Sequence, residues 1–171
     1  FWSENKIIAN TITIETDLFN QEGFNDVENA YAYVIDWKQR HAPKALSKLW
    51  QKGYKVRSAR KEFNNGNRNY SKGSLVVLVG RNLNKTNAFK EDMKQIAQES
   101  GVIIDAFKTG RMKKGVDLGS SNMVPLKKSK VALMVDRPFN SYTAGQLWFL
   151  MDMETQYGIS KLRTERLRNI D

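Results

Sequence analysis

Few residues in this chain have side chains suited to catalysis. Its 171 residues include one histidine, His41, set among Lys38, Arg40 and Lys44, and no cysteine. A thiol nucleophile, a disulfide framework and a cysteine-ligated metal are therefore excluded. One imidazole cannot supply a zinc site built on two or three histidines. As a general base, His41 needs an orienting carboxylate and a nucleophile. Asp36 with Ser47 or Ser120 are the available groups, but no spacing ties them together, and His41 reads as a residue at a helix start. The pairs Glu91 with Asp92 and Asp152 with Glu154 fall on polar helix faces, where solvation explains them. The expectation is no catalytic residue, no metal ligand and no cofactor in this chain, and hence no enzyme activity of its own.

Anion binding has more candidates. Gly80 to Thr86 follow a strand pattern and precede a helical one, a place where backbone N–H groups can hold an anion beside Arg81 and Lys85. Neither G-x-G-x-x-G nor G-x-x-x-x-G-K-[ST] occurs there. Capping of the helix by Asn84 or Thr86 is the competing reading. Gly115-Val-Asp-Leu-Gly-Ser-Ser121 can form a nest for a phosphate or carboxylate around Gly119 and Ser120. It lacks the G-x-S-x-G frame of a hydrolase elbow, and Gly and Ser clusters also mark turns. A small-ligand pocket near Arg81 or Asp117 requires a defined concavity there.

The net charge of +10 is unevenly spread. Residues 1–36 sum to −6, residues 37–72 to +10 and residues 108–137 to +6, while the remainder balances. Arg57, Arg60, Lys61 and Arg68 belong to the first basic block and are candidate contacts for nucleic acid, another anion or an acidic protein. Trp37, Trp50, Tyr54, Phe63 and Tyr70 interleave with them, as on a single-strand nucleic-acid surface. Core packing explains the same aromatics, because Trp50 and Tyr54 occupy helix-to-strand positions.

The elements that position these residues follow from periodicity. Ala30 to Trp37 is β-rich; a helix carries Ala42, Leu46, Leu49 and Trp50, with Pro43 in its first turn and Gly53 at its end. Tyr54 to Ala59 reads as a strand, and a polar loop through Asn64, Asn65, Gly66 and Asn67 follows it. Leu75 to Val79, bracketed by glycines, has the continuous apolar pattern of a central parallel strand. Phe89, Met93, Ile96 and Ala97 mark a helix closed by Gly101, and Val102 to Phe107 a strand. After a polar connection come a strand at Val131 to Val135, a helix capped by Ser141 or Thr143, and a strand near Ile159 to Leu162.

This order predicts an α/β fold, a three-layer sandwich around a mostly parallel sheet. Its expected parts are an edge strand or hairpin at 1–29, including the Thr11 to Glu15 alternation, a first α/β unit at 30–107, a connecting loop at 108–128 and a second, truncated α/β unit at 129–171. The longest apolar runs, Leu75 to Val79 and Leu147 to Met151, are too short to span a bilayer, which needs about 20 residues. A chain beginning at Phe1 reads as a piece of something longer.

The ordered series Ala30-Tyr-Ala-Tyr-Val-Ile-Asp-Trp37, Ala42-Pro-Lys-Ala-Leu46, Gly53-Tyr-Lys-Val-Arg-Ser-Ala59 and Lys72-Gly-Ser74 resembles the domain that follows the catalytic domain in bacterial zinc carboxypeptidases of the carboxypeptidase A type. Asp117-Leu-Gly-Ser120, Lys130-Val-Ala-Leu-Met134 and Ser141-Tyr-Thr-Ala-Gly-Gln-Leu-Trp148 with Asp152 look like the opening of that family's class I glutamine amidotransferase-like α/β unit. The likeness runs from about Ala30 to the end. It implies a flavodoxin-like or amidotransferase-like fold and an accessory role beside the parent's catalytic domain, in a periplasmic or extracellular protein that removes C-terminal residues from peptides with zinc. The zinc motif is His-x-x-Glu with a later histidine; here Lys44 stands at the Glu position after His41, and no second histidine exists. The amidotransferase cysteine is missing too. Zinc is thus implied only for the parent, and the alternative role is an anion- or nucleic-acid-binding module using residues 37–72.

Overall fold

A computed structural model describes residues 23–169. Its main sheet has six strands, in the spatial order Gly23–Asn25, Ile103–Phe107, Ala32–Ile35, Leu75–Leu78, Arg57–Ala59 and Met123–Pro125. In chain order these are β1 (Gly23–Asn25), β2 (Ala32–Ile35), β3 (Arg57–Ala59), β6 (Leu75–Leu78), β7 (Ile103–Phe107) and β9 (Met123–Pro125). Helices α1 (Ala42–Gln51) and α2 (Phe89–Ser100) connect β2 to β3 and β6 to β7. Between β3 and β6 the chain makes the hairpin β4 (Phe63–Asn64) and β5 (Asn69–Tyr70), and β8 (Lys114–Gly115) joins that hairpin in a separate sheet of order β5-β4-β8.

The fold is mixed α/β, but the expected mostly parallel sheet is corrected. Only β1 and β7 pair in parallel in the main sheet, and the β2–β6, β2–β7, β3–β6 and β3–β9 ladders are antiparallel. The two strand-helix-strand crossovers do occur. Each skips one position, and the strand of the other crossover fills the gap, running the opposite way. The order β7-β2-β6-β3 is the split βαβ arrangement. Leu75 to Leu78 is fully buried as expected, because the sheet is covered on both faces. Burial on two faces, which typifies parallel strands, is reached here by an antiparallel one.

The two coverings differ. Tyr33, Ile35, Leu75, Val77 and Ile104 point to the helical face, where they meet Ala42, Ala45, Leu46 and Leu49 of α1 and Phe89, Met93, Ile96 and Ala97 of α2. Ala32, Val34, Val76, Leu78 and Phe107 point the other way, onto Phe63, Tyr70, Leu118 and Met123 from the small sheet and the 108–128 connection. The β2–β6 register keeps each set together, with Tyr33 opposite Val77 and Val34 opposite Val76. Each fully buried Leu or Ile side chain contributes about 1.5–3 kcal/mol relative to exposure.

Helix ends are set locally. Pro43 lies in the first turn of α1, where its missing N–H costs nothing. Gly101 closes α2 in the left-handed region at φ 66°, the conformation glycine adopts without Cβ strain. At the start of α2, Ala88 and not Asn84 or Thr86 occupies the capping position, and it carries no side-chain cap. Two short 3₁₀ turns, Val79–Arg81 and Leu83–Ala88, occupy the approach instead.

The C-terminal residues form their own unit. Strand β10 (Ala132–Met134), helix α3 (Ser141–Trp148) with a π-helical continuation at Phe149–Glu154, and β11 (Ser160–Leu162) make a parallel βαβ motif. Asn140 caps α3, its Oδ1 accepting from the N–H groups of Tyr142 at 2.9 Å and Thr143 at 3.3 Å. The expected cap at Ser141 or Thr143 is thus shifted back to a residue whose amide oxygen suits the task. Trp50 meets Tyr157 edge-on at 5.9 Å and Gln51 Nε2 donates to the Gln156 carbonyl, joining this unit to the end of α1. The Thr11 to Glu15 alternation lies outside the described residues. No helix among those described is long and apolar enough to cross a membrane.

Candidate functional site

Three segments close around a cavity of about 310 Å³ lined by Trp50, Tyr54, Lys55, Val56, Arg57, Leu78, Arg81, Pro125, Leu126 and Lys128. The buried Asn82 holds two of its walls together. Its Oδ1 accepts from the Lys55 N–H at 2.7 Å, and its Nδ2 donates to the carbonyls of Leu78 at 2.9 Å and Lys55 at 3.3 Å. The third wall is tied on by the Leu126 N–H to the Val56 carbonyl at 2.9 Å and by Arg57 Nη1 to the Met123 carbonyl at 2.9 Å.

Four cations, Lys55, Arg57, Arg81 and Lys128, share this lining with no carboxylate. None of the four is in an ion pair among the described residues. Tyr54 and Val56 are almost fully buried beneath them, and the Tyr54 hydroxyl is directed away, donating to Asp92 Oδ2 at 2.6 Å. Burial first, and then that hydrogen bond to a carboxylate, push the Tyr54 phenol well above its usual range, so it stays protonated. The concavity required near Arg81 is present.

The other candidate residues are dispersed. Arg60 and Lys61 are exposed at the foot of the β4–β5 hairpin. Arg68 is turned inward, its Nη1 3.2 Å from Asp105 Oδ2 and its guanidinium over the Tyr70 ring. The side chain of Lys85 lies outside the described residues. Gly119 and Ser120 sit in a turn closed by the Ser120 N–H to the Asp117 carbonyl at 3.1 Å, with Asp117 Oδ1 accepting from the Met112 N–H. Ser120 Oγ is buried with no partner among the described residues.

The pairing of β4 with β8 brings the two basic blocks together, with Asn64 opposite Lys114 and the Lys113 N–H donating to the Asn64 carbonyl at 2.9 Å. Arg60, Lys61, Lys113 and Lys114 are all exposed around this small sheet. The aromatics interleaved with the first block are not on display. Tyr54, Phe63 and Tyr70 are core residues and Trp50 packs against the core, which leaves Trp37 exposed.

His41 precedes α1 with its Nδ1 unpartnered among the described residues, and Asp36 has other company. Asp36 Oδ1 accepts from Ser71 Oγ at 2.5 Å, Ser74 Oγ at 3.3 Å and the N–H groups of Lys38 and Ser71. Burial alone raises its pKa, but the hydrogen bonds outweigh burial and hold it below the usual aspartate value. A folded-state pKa depressed below the unfolded value of about 3.9 contributes stability that is present above that value and lost as pH falls through the folded one. Asp36→Asn is therefore expected to flatten the acid limb of the stability curve, read by urea unfolding from about pH 5 to about pH 2.5. Parallel limbs for the two proteins would refute it.

Sequence reasoning finds Arg57 and Arg81 but not Lys55 and Lys128, which complete the same cavity, nor the buried Asp105. Segments that meet only across the sheet leave no spacing signal. Among the described residues no group of His, Cys, Asp and Glu is arranged to hold a metal. Comparison of the chain with protein-family models, with curated proteins and with solved structures finds no match.

Proposed function

We propose that the chain is a noncatalytic accessory domain of a secreted zinc carboxypeptidase, whose separate catalytic domain removes C-terminal residues from peptides. The observation that carries this reading is the parallel βαβ unit at residues 132–162. It falls in the stretch where the resemblance expects the amidotransferase-like α/β unit to open, and a parallel βαβ unit is compatible with such a fold. Phe149, Leu150 and Met153 are 55, 51 and 59% exposed on it. These side chains lie on the helical segment Phe149–Glu154, and in this reading a neighbouring surface of the parent covers them.

The reading is tested in two ways. The reading frame upstream of the Phe1 codon is expected to encode His-x-x-Glu and a later histidine; a frame without them overturns the parentage. The purified chain is expected to trim no peptide from its C-terminus and to release no ammonia from glutamine, with or without added zinc. Measurable trimming would overturn the noncatalytic role.

A second reading, an anion- or nucleic-acid-binding module, draws on the basic face that β4 and β8 assemble. With Tyr54, Phe63 and Tyr70 packed inside, charge and not base stacking must carry such binding. Affinity for a short oligonucleotide then falls steeply with salt, and no binding at low ionic strength removes this reading.

A further inference from the structure

We infer that the cavity between Lys55, Arg81 and Lys128 is a binding site for a small organic carboxylate with an apolar, preferably aromatic, body. This inference stands apart from the parentage proposed above, since it uses only the geometry of the main sheet and its flanking segments.

Three features of the cavity select the ligand class. Its charge is of one sign, with four cations and no acid in the lining, so an anion relieves repulsion that the fold leaves uncompensated. Its remaining surface is apolar and aromatic, from Trp50, Val56, Leu78, Pro125 and Leu126. A bare inorganic ion leaves that surface unused, whereas a hydrocarbon body buries against it at about 25 cal/mol per Å². At about 310 Å³ the cavity is at the small end for ligand sites, which run from about 300 to about 1,000 Å³. That size excludes a dinucleotide or a polymer from full enclosure.

The site is also built in advance. Asn82 is 1% exposed and spends its whole amide on holding the Lys55 and Leu78 backbones. Arg57 is occupied by the Met123 carbonyl and keeps the wall bearing Pro125 in place, so it is a positioning residue. Arg81 and Lys55 are exposed and make no ion pair among the described residues, which leaves them to meet the carboxylate. Lys128 lies over the Tyr157 ring at 5.9 Å, which places its ammonium at the seam with the C-terminal unit. Preorganised walls reduce the ordering cost of binding.

The test is a titration of the folded chain with 3-phenylpropionate, followed by two-dimensional ¹H–¹⁵N NMR of the Trp50 indole N–H and the backbone amides of Lys55, Arg57 and Leu126. Saturable shifts at these positions are expected. The uncharged 3-phenylpropionamide should bind about tenfold more weakly, because it lacks the charge-assisted hydrogen bonds. Inorganic phosphate should also bind about tenfold more weakly, for want of an apolar body. Arg81→Gln and Lys55→Gln should each weaken the acid by about fivefold while the thermal midpoint stays unchanged. Absence of saturable shifts, equal binding of acid and amide, equal binding of phosphate, or shifts confined to other regions would each overturn the assignment.

Discussion

Replacing Asp105 by alanine is expected to lower the unfolding free energy by about 3 kcal/mol, read as a fall in the urea midpoint at constant slope. Asp105 is 9% exposed on β7, opposite Asn25 of β1 in the parallel ladder. Oδ1 accepts from Asn25 Nδ2 at 2.6 Å, and Oδ2 accepts from the Tyr70 hydroxyl at 2.7 Å. Tyr70 is 1% exposed, stacked on Phe63 and set edge-on to Phe107, with centroids at 5.0 and 5.5 Å. Burial first, and then the bond to Asp105, push its phenol far above the usual range. Removing the carboxylate strands that hydroxyl in an apolar layer and removes the side-chain tie between the edge strand and its neighbour. Arg68 adds less, because its side chain is 36% exposed and solvent screens such a pair. Tyr70→Phe should cost about 1 kcal/mol, and the double variant less than the two losses combined, since both remove one shared bond. A loss for Asp105→Ala no greater than that for Tyr70→Phe would show that the carboxylate does not tie these layers together.

The Asp105 cluster illustrates which parts of this molecule are legible in its sequence. Helix periodicity is local, so α1 and α2 follow from Ala42, Leu46 and Leu49 and from Phe89, Met93 and Ile96. Strand direction is not local. Leu75 to Leu78 carries the same apolar run whether its neighbours are parallel or antiparallel, and the hairpin through β4 and β5 that returns β6 between β2 and β3 is short and polar. Charge counting locates two basic blocks but not their meeting, which depends on the pairing of Asn64 with Lys114. The candidate cavity is half legible for the same reason. Arg81 follows a strand, a position with a known tendency to bind ligands, whereas Lys128 reaches the site only because the segment after β9 is bonded to Val56. Aromatic interleaving misleads in the opposite sense, since Phe63 and Tyr70 alternate with charges yet turn into the layer beneath.

The Gly115→Ala variant should lose about 3 kcal/mol and should free the β8 strand from β4, for reasons found in the backbone alone. Gly115 has φ +85°, and a Cβ built there lies 2.3 Å from the Glu62 carbonyl oxygen and 2.7 Å from the Phe63 Cα. Both obstacles are main-chain atoms, so no side chain can rotate aside, and β8 must move off the hairpin. The positive φ alone costs about 1 kcal/mol for a residue with a Cβ, and displacement of a packed strand adds about 1–3 kcal/mol more. Phe63, opposite Gly115 in the ladder, is 2% exposed, and it loses cover as the strand lifts. Two measurements separate this mechanism from general loosening. The Lys113 amide, bonded to the Asn64 carbonyl, should exchange with solvent much faster, while amides of β2 and β6 should speed up only in proportion to the loss of global stability. Gly119→Ala serves as the control, since a Cβ there meets only the Tyr31 hydroxyl at 3.4 Å, and it should change stability by less than about 0.5 kcal/mol. Equal losses for the two alanine variants would show that the β4–β8 contact is not the constraint, and that the two basic blocks are held together by something other than this ladder.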